Sequence, residues 1–306
     1  MSNGDLFLMS PPGRTWALRG RANFRSEAAA EVKPLRARKE WLRLADAIEG
    51  EGGTVVVLPP SDEALSGLPY AAEAGHPLPP REAGGRPRFL LPRMFAAHRV
   101  RERELWAPLV ERLGFEVIEL GAGIWEGQGD VAEFDGATLL FYGGRTDKAG
   151  LNAALQHFDG EVLVLELRQP AFHGNMAVLP LPAVNKLLVC PTVLVGDGLD
   201  RLADRFGGAR LELVTEDEIR SYATNGLPMG RTWLAPSVVP SRVRQVMVGL
   251  GMNVAALSMQ ELCEKAGGAS RCLVCKATRM AELVDIPEEN RLAATRSRIA
   301  EEPDDA

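Results

Sequence analysis

Short apolar runs alternate along the chain with longer segments whose apolar residues return every three to four positions. Five runs predict first strands: Thr15–Gly20, Arg88–Arg93, Ala137–Tyr142, Lys186–Pro191 and Gln245–Leu250. Five more predict the strands that follow them: Thr54–Leu58, Glu116–Leu120, Glu161–Leu165, Arg210–Val214 and Ser270–Val274. Between most pairs lies an amphipathic segment. Trp41, Leu42, Leu44, Ala45 and Ile48 share a face before Gly50, and Leu105, Leu109 and Leu113 share one before Gly114. Residues 149–158 and 199–206 repeat the pattern before Gly160 and Gly207. Helical periodicity closed by a glycine is a helix with its stop. The chain therefore reads as about five strand-helix-strand units covering residues 6–276. Repetition at this period is weighed before any two-domain division, although an ordinary α/β fold also alternates in this way.

Residues 1–277 are expected to form one domain, and 278–306 a C-terminal helix with an acidic tail. The Pro- and Gly-rich stretches 59–87 and 169–182 are expected to be surface loops, where functional groups concentrate.

Composition narrows the class. The chain has 306 residues, 46% of them hydrophobic, and a formal net charge of -6. That balance suits a globular protein and does not suggest a nucleic-acid partner. No apolar run has membrane-spanning length, and the N-terminal residues lack the basic and apolar regions of a signal peptide, so no membrane partner is expected and a cytoplasmic setting is. Four cysteines are too few for a disulfide scaffold and read as free thiols.

Candidate chemistry is sparse. Of four histidines, His173 follows a strongly apolar strand inside a Pro/Gly-rich loop and is the best general-base candidate, against a plain loop histidine. His157 reads as a partly charged histidine at a helix C-terminus, and His76 and His98 as loop residues. Cys190 reads as core, and Cys263 falls on a predicted helix without a role. Cys272 and Cys275 form Cys-x-x-Cys, weak as a zinc half-site because no second pair exists, and weak as a redox pair because the stretch reads as a strand. The turn before Cys272 contains Gly267 and Gly268, which would let a thiol point into a cleft; a buried strand cysteine is the plainer alternative. Glu126 and Asp130 lie in a glycine-rich turn that suits either a cation or simple turn capping.

Several segments together resemble the guanidino-group-modifying enzymes of the pentein superfamily, in particular dimethylarginine dimethylaminohydrolases and bacterial amidinotransferase-like proteins. Phe7-Leu-Met-Ser-Pro-Pro12 is similar to the opening strand of that family. Trp125-Glu-Gly-Gln-Gly-Asp130, Tyr142-Gly-Gly-Arg-Thr-Asp147, Phe172-His-Gly-Asn175 and Lys265-Ala-Gly-Gly-Ala-Ser-Arg-Cys-Leu273 resemble its signatures in order. The resemblance spans nearly the whole chain. It implies an α/β propeller of five ββαβ units, in line with the repeat count.

The resemblance also implies roles. Cys272 would attack a guanidinium carbon and form a thiouronium adduct, His173 would move protons, and Glu126 would orient His173 and bind the guanidinium. Glu73 in Leu68-Pro-Tyr-Ala-Ala-Glu-Ala-Gly75 falls where relatives carry Asp, with Asp130 and Asn175 completing the guanidinium site. Arg145 would hold a substrate carboxylate, with Arg99 as second choice. Asn175 replaces an Asp of many relatives and Gly174 a Leu, departures that point to a non-standard guanidine. No metal or organic cofactor is implied, because a thiolate needs none. Three activities follow: hydrolysis to a ureido product, transfer of the amidino group to an amine, or a non-catalytic binding propeller. The partner expected is a small guanidino compound, with a homodimer left open. With Arg271 the one cation adjacent in sequence, Cys272 is expected to rest as a thiol.

Overall fold

The computed structural model describes residues 4–18, 23–29, 31–61, 63 and 65–300. The strands pair into five three-stranded sheets. The chain opens with β1 (Leu6–Met9), the short helix α1 (Phe24–Ala28), α2 (Pro34–Gly50) and β2 (Thr54–Val57). The second unit holds β3 (His76–Leu78), β4 (Arg88–Leu90), α3 (Glu102–Arg112) and β5 (Glu116–Ile118). The third holds β6 (Val131–Phe134), β7 (Ala137–Tyr142), α4 (Lys148–Leu155) and β8 (Glu161–Glu166). In the fourth, a single helical turn, α5 (Gly174–Ala177), runs into β9 (Val178–Leu181), β10 (Lys186–Val189), α6 (Gly198–Phe206) and β11 (Leu211–Leu213). After α7 (Glu216–Arg220), the fifth holds β12 (Leu227–Met229), β13 (Thr232–Pro236), α8 (Ser241–Gly249) and β14 (Asn253–Leu257). Strand β15 (Cys275–Ala277) then returns to pair antiparallel with β1, completing the first sheet from the far end of the chain. The last helix, α9 (Leu292–Ala300), lies against α2 and β2.

Every sheet is built alike. An antiparallel pair supplies two strands, a hairpin in four sheets and β15 with β1 in the first, and a helix crosses over to a third strand parallel to the central one. A parallel pair needs such a crossover, and its helix must bury an apolar stripe against the sheet. In α2 that stripe is Trp41, Leu44, Ala45 and Ile48, all fully buried. Trp41, Trp106, Trp125 and Trp233 are each buried to within 1% of full cover. Burying a large apolar side chain contributes about 1.5–3 kcal/mol, so these four are main anchors of the layers.

Three of the expected strands are corrected. Thr15–Leu18 form a turn and coil, and the rest of that run lies outside the described residues; the first strand is Leu6–Met9. Residues 245–249 lie in α8, with Leu250 at its C-cap, and Val243 and Met247 face inward at helical spacing. The fifth unit's central strand is β13 instead, a run shortened by Pro236. Residues 270–273 form a turn, and the strand begins at Cys275. The stretch 59–87 is not a solvated loop throughout, since Leu68, Glu73, His76 and Leu78 are buried. Residues 301–306, the expected acidic tail, lie outside the described residues.

Candidate active site

Cys272 ends a tight turn whose shape depends on two glycines. Gly267 has φ of +96°, and a Cβ there would meet the side chain of Asn23. A Cβ on Gly268 would lie 2.3 Å from a ring carbon of Tyr70, whose hydroxyl donates to Leu262 O at 2.9 Å. Glycine is therefore required once for conformation and once for close approach. The turn is closed by Cys272 N donating to Ala269 O at 3.0 Å. The carboxamide of Asn175 donates to Cys272 Sγ at 3.6 Å. Burial, reinforced by the charge of Glu73, pushes the Cys272 thiol up to about 12, against the opposing pull of Asn225 and Arg271. A resting thiol is what the sequence suggested.

His173 caps α5 and is fully buried. Its Nε2 lies 2.7 Å from Glu126 Oε2, and its Nδ1 lies 3.3 Å from Glu73 Oε1. Burial alone would lower its pKa, but Asp130, Glu73 and Glu126 together raise it above the ordinary value. Glu126 is held by the turn before β6, where its other oxygen accepts from Phe95 N at 2.8 Å. Burial would raise this carboxyl, yet the hydrogen bond and charge of His173, with Arg145 and Arg99, bring it down to about 2. The carboxylates on both sides thus favour the charged form of the imidazole against the burial that opposes it.

Glu73 is shared. Its second oxygen accepts from Arg99 Nη1 at 2.5 Å. Arg99 in turn donates from Nε and Nη2 to Glu102, and from Nη2 to Gly67 O at 3.0 Å. Arg99 thus spends its donors within the protein, although it lines the cleft. Arg145 lies 4.6 Å over the ring of Phe172 and 3.5 Å from Glu126, at the cleft wall. Asp130 does not line the cleft. It accepts from Thr146 Oγ1 at 2.6 Å and Gly174 N at 2.8 Å, and burial pushes its carboxyl up to about 6. Asn175 is buried between Cys272 and a second cavity.

The cleft itself is walled by Tyr70, Glu73, His98, Arg99, Arg145 and Cys272. It brings a thiol, a carboxylate and two guanidinium groups to one opening, with the His173–Glu126 pair directly behind. Tyr70, Glu102 and Thr146 escaped the sequence reading. Tyr70 and Thr146 left a trace only as unassigned members of the Leu68–Gly75 and Tyr142–Asp147 motifs, and Glu102 only as an acidic residue three positions after Arg99.

The remaining candidates lie elsewhere. Cys275 is buried on β15, its Sγ directed at Gly75 O, and all four cysteines are free. His76 is buried on β3 and pushed down to about 3 by burial, so it is not a solvated loop residue. His157 lies past the end of α4, and burial with Arg81 and Arg88 lowers its pKa rather than favouring charge. Among the described residues no cluster of His, Cys, Asp or Glu could hold a metal ion, and no helix is long and apolar enough to cross a membrane.

This geometry can be set beside known structures. The N-terminal domain of ArgZ, an arginine dihydrolase from the ornithine-ammonia cycle in Cyanobacteria, superposes with a TM-score of 0.78 at 22% identity, covering 89% of this chain and 97% of that one. A dimethylarginine dimethylaminohydrolase adduct with S-methyl-L-thiocitrulline gives 0.66 at 17% identity, over 89% and 99%. The chain has the pentein fold. Unliganded AgrE matches with a TM-score of 0.78 at 22% identity, and there the 94% of this chain that aligns spans 40% of the longer protein. No protein-family model and no curated protein sequence matches the chain. The pentein fold accounts for the five repeated sheets and for the closure of the first sheet by β15.

Proposed function

We propose that this chain is a cysteine-dependent hydrolase of a guanidino compound. The observation that carries the reading is the placement of Cys272 at a cleft backed by His173, whose two ring nitrogens face Glu126 and Glu73. One solved ArgZ domain is described as covalently bonded to a reaction intermediate, and the dimethylaminohydrolase as an adduct, which supports a covalent route on this fold.

Cys272 Sγ forms a bond to the central guanidinium carbon, and its proton is taken up through His173. The same proton is delivered to the departing nitrogen as the C–N bond breaks, leaving a thiouronium and a neutral amine or ammonia. Water then adds to that carbon, losing its proton to His173. The C–S bond breaks, the thiol is restored, and a ureido product leaves. Glu126 keeps the imidazole oriented and charged when needed. Glu73 offers the carboxylate edge that a planar guanidinium matches. Arg145 takes a carboxylate at the other end of the substrate, while Arg99 acts by holding Glu73. A cation arriving next to a neutral thiol favours its ionisation, so the resting thiol is activated by its own substrate.

Intact-mass analysis after incubation with a panel of guanidino compounds, alongside Cys272→Ala, tests this. A ureido product, and an adduct absent from the variant, are expected. Absence of both turnover and adduct with every compound would overturn the reading.

A further inference from the structure

In each sheet the edge strand that pairs antiparallel with the central strand plays a role the cleft does not use. Strands β3, β6, β9, β12 and β15 all contribute residues to one cavity of about 640 Å³. It lies at the centre of the five sheets and is separate from the cleft of Cys272; the two share no lining residue. Asn175, which lines this cavity, also donates to Cys272 Sγ, so the two spaces meet across one side chain.

The wall of the central cavity carries more positive than negative groups. Lys276 is paired with Asp5 at 2.8 Å. Arg271 and Arg279 add two cations, and Glu133 one further carboxylate, whose ionisation burial opposes. Arg271 is the unusual member. It is half-buried, and its Nη1 donates to three backbone carbonyls: Val178 O at 2.8 Å, Thr224 O at 3.0 Å and Asn175 O at 3.5 Å. Among the described residues it has no carboxylate partner. Its Nε and Nη2 have no hydrogen-bond partner there, and neither is sealed from solvent. A partly desolvated guanidinium fixed on one side by carbonyls, with its remaining donors open to a cavity, has the donor geometry that binds oxyanions.

We propose that the central cavity binds a small oxyanion, a carboxylate or a phosphate, on the open edge of Arg271, and that this ligand restrains Cys272 from behind. Two links couple the sites. Arg271 directly precedes Cys272, and its positive charge favours the thiolate, so a bound anion cancels that help. Arg271 also holds the carbonyl of Asn175, whose carboxamide touches the sulfur. The ligand would therefore act as an inhibitor that never enters the substrate cleft.

The test needs no substrate, so it stands or falls apart from the assignment of the reaction. The wild-type chain is modified with phenylglyoxal at constant ionic strength, with sodium phosphate, sodium acetate or sodium chloride present, and each arginine is mapped by mass spectrometry. In parallel, the rate of Cys272 alkylation by iodoacetamide is followed at one pH. Saturable protection of Arg271 by phosphate or acetate is expected, with alkylation slowed by up to about tenfold, the effect of moving the thiol pKa by one. Protection by phosphate alone or by acetate alone identifies which oxyanion the cavity takes. In Arg271→Gln the slowing should vanish. Protection confined to Arg145 would place the anion in the cleft and overturn the proposal, as would slowing that persists in Arg271→Gln. Should that variant not fold, the mapping on the wild-type chain decides alone, and absence of saturable protection of Arg271 overturns the proposal.

Discussion

His173 Nε2 lies 2.7 Å from Glu126 Oε2, and both side chains are fully buried. Each favours the charged form of the other. The His173 pKa is raised above its ordinary 6.5, so the stability it contributes is present below that value and is lost as pH climbs through the folded value. Glu126 is lowered from 4.5 to about 2, so its contribution is present above 4.5 and is lost as pH falls towards 2. The pair is thus intact between those limits. Glu126→Gln removes the charge and should move the NMR-detected His173 titration to lower pH. It should also cut kcat/KM for the guanidino substrate by about 10²–10⁴, the scale of general acid–base catalysis. An unchanged histidine titration would show that Glu126 does not set the imidazole charge.

Cys272 leads to a second expectation. With the thiol raised from 9.0 to about 12, the free protein should show no thiolate absorbance at neutral pH. The folded state favours the neutral thiol, so this group's contribution is complete below 9.0 and declines as pH rises towards 12. A guanidinium-bearing substrate analogue should bring the titration down, whereas an uncharged isostere should not. Ultraviolet titration in the presence of each compound checks this. A strongly acidic thiol in the free protein would contradict it.

The chain Glu73–Arg99–Glu102 makes a stability prediction. All three side chains are buried, and Arg99 bridges both carboxylates. Arg99→Met leaves two buried carboxylates without their cation and should lower stability by about 3–5 kcal/mol in urea melts. Adding Glu102→Gln should recover part of that loss, since one stranded charge is gone. A loss below about 1 kcal/mol in the single variant would mean that water reaches these groups, as it does for exposed pairs.

Much of this was legible in the sequence for a physical reason. The β-branched runs Thr54–Val57 and Glu161–Glu166 and the helix faces around Trp41 and Leu109 carry strong periodicity because each covers a core. The edge strands of the hairpins did not show. Strands β3, β9 and β12 are three or four residues long, and each contains a proline, so no alternation develops. The β-branched Val246 and Val248 imitate a strand, yet Val243 and Met247 turn the same segment into a helix once the fifth sheet offers them cover. At the site, the order of Glu126, His173 and Cys272 was readable along the chain. That Arg99 turns inward to Glu73 was not, because its partner Glu102 looks like any acidic residue in a helix's first turn.

Gly174 gives the last prediction. It stands between His173 and Asn175, and its amide donates to Asp130 Oδ1 at 2.8 Å. A Cβ built there would lie 2.1 Å from a ring carbon of Phe141, a buried side chain of β7 that cannot swing away cheaply. Gly174→Ala should therefore cost about 1–3 kcal/mol as an overpacked core position. The strain falls on the turn that caps α5, so the His173 imidazole should shift with it. Two readings separate the consequences: the urea midpoint reports the packing cost, and kcat at saturating substrate reports the displaced imidazole. A fall in kcat beyond the loss of folded protein is expected, while KM, set by Glu73 and Arg145 across the cleft, should change little. If kcat per folded molecule were unchanged, Phe141 would have given way instead of the turn, and the glycine would serve packing alone.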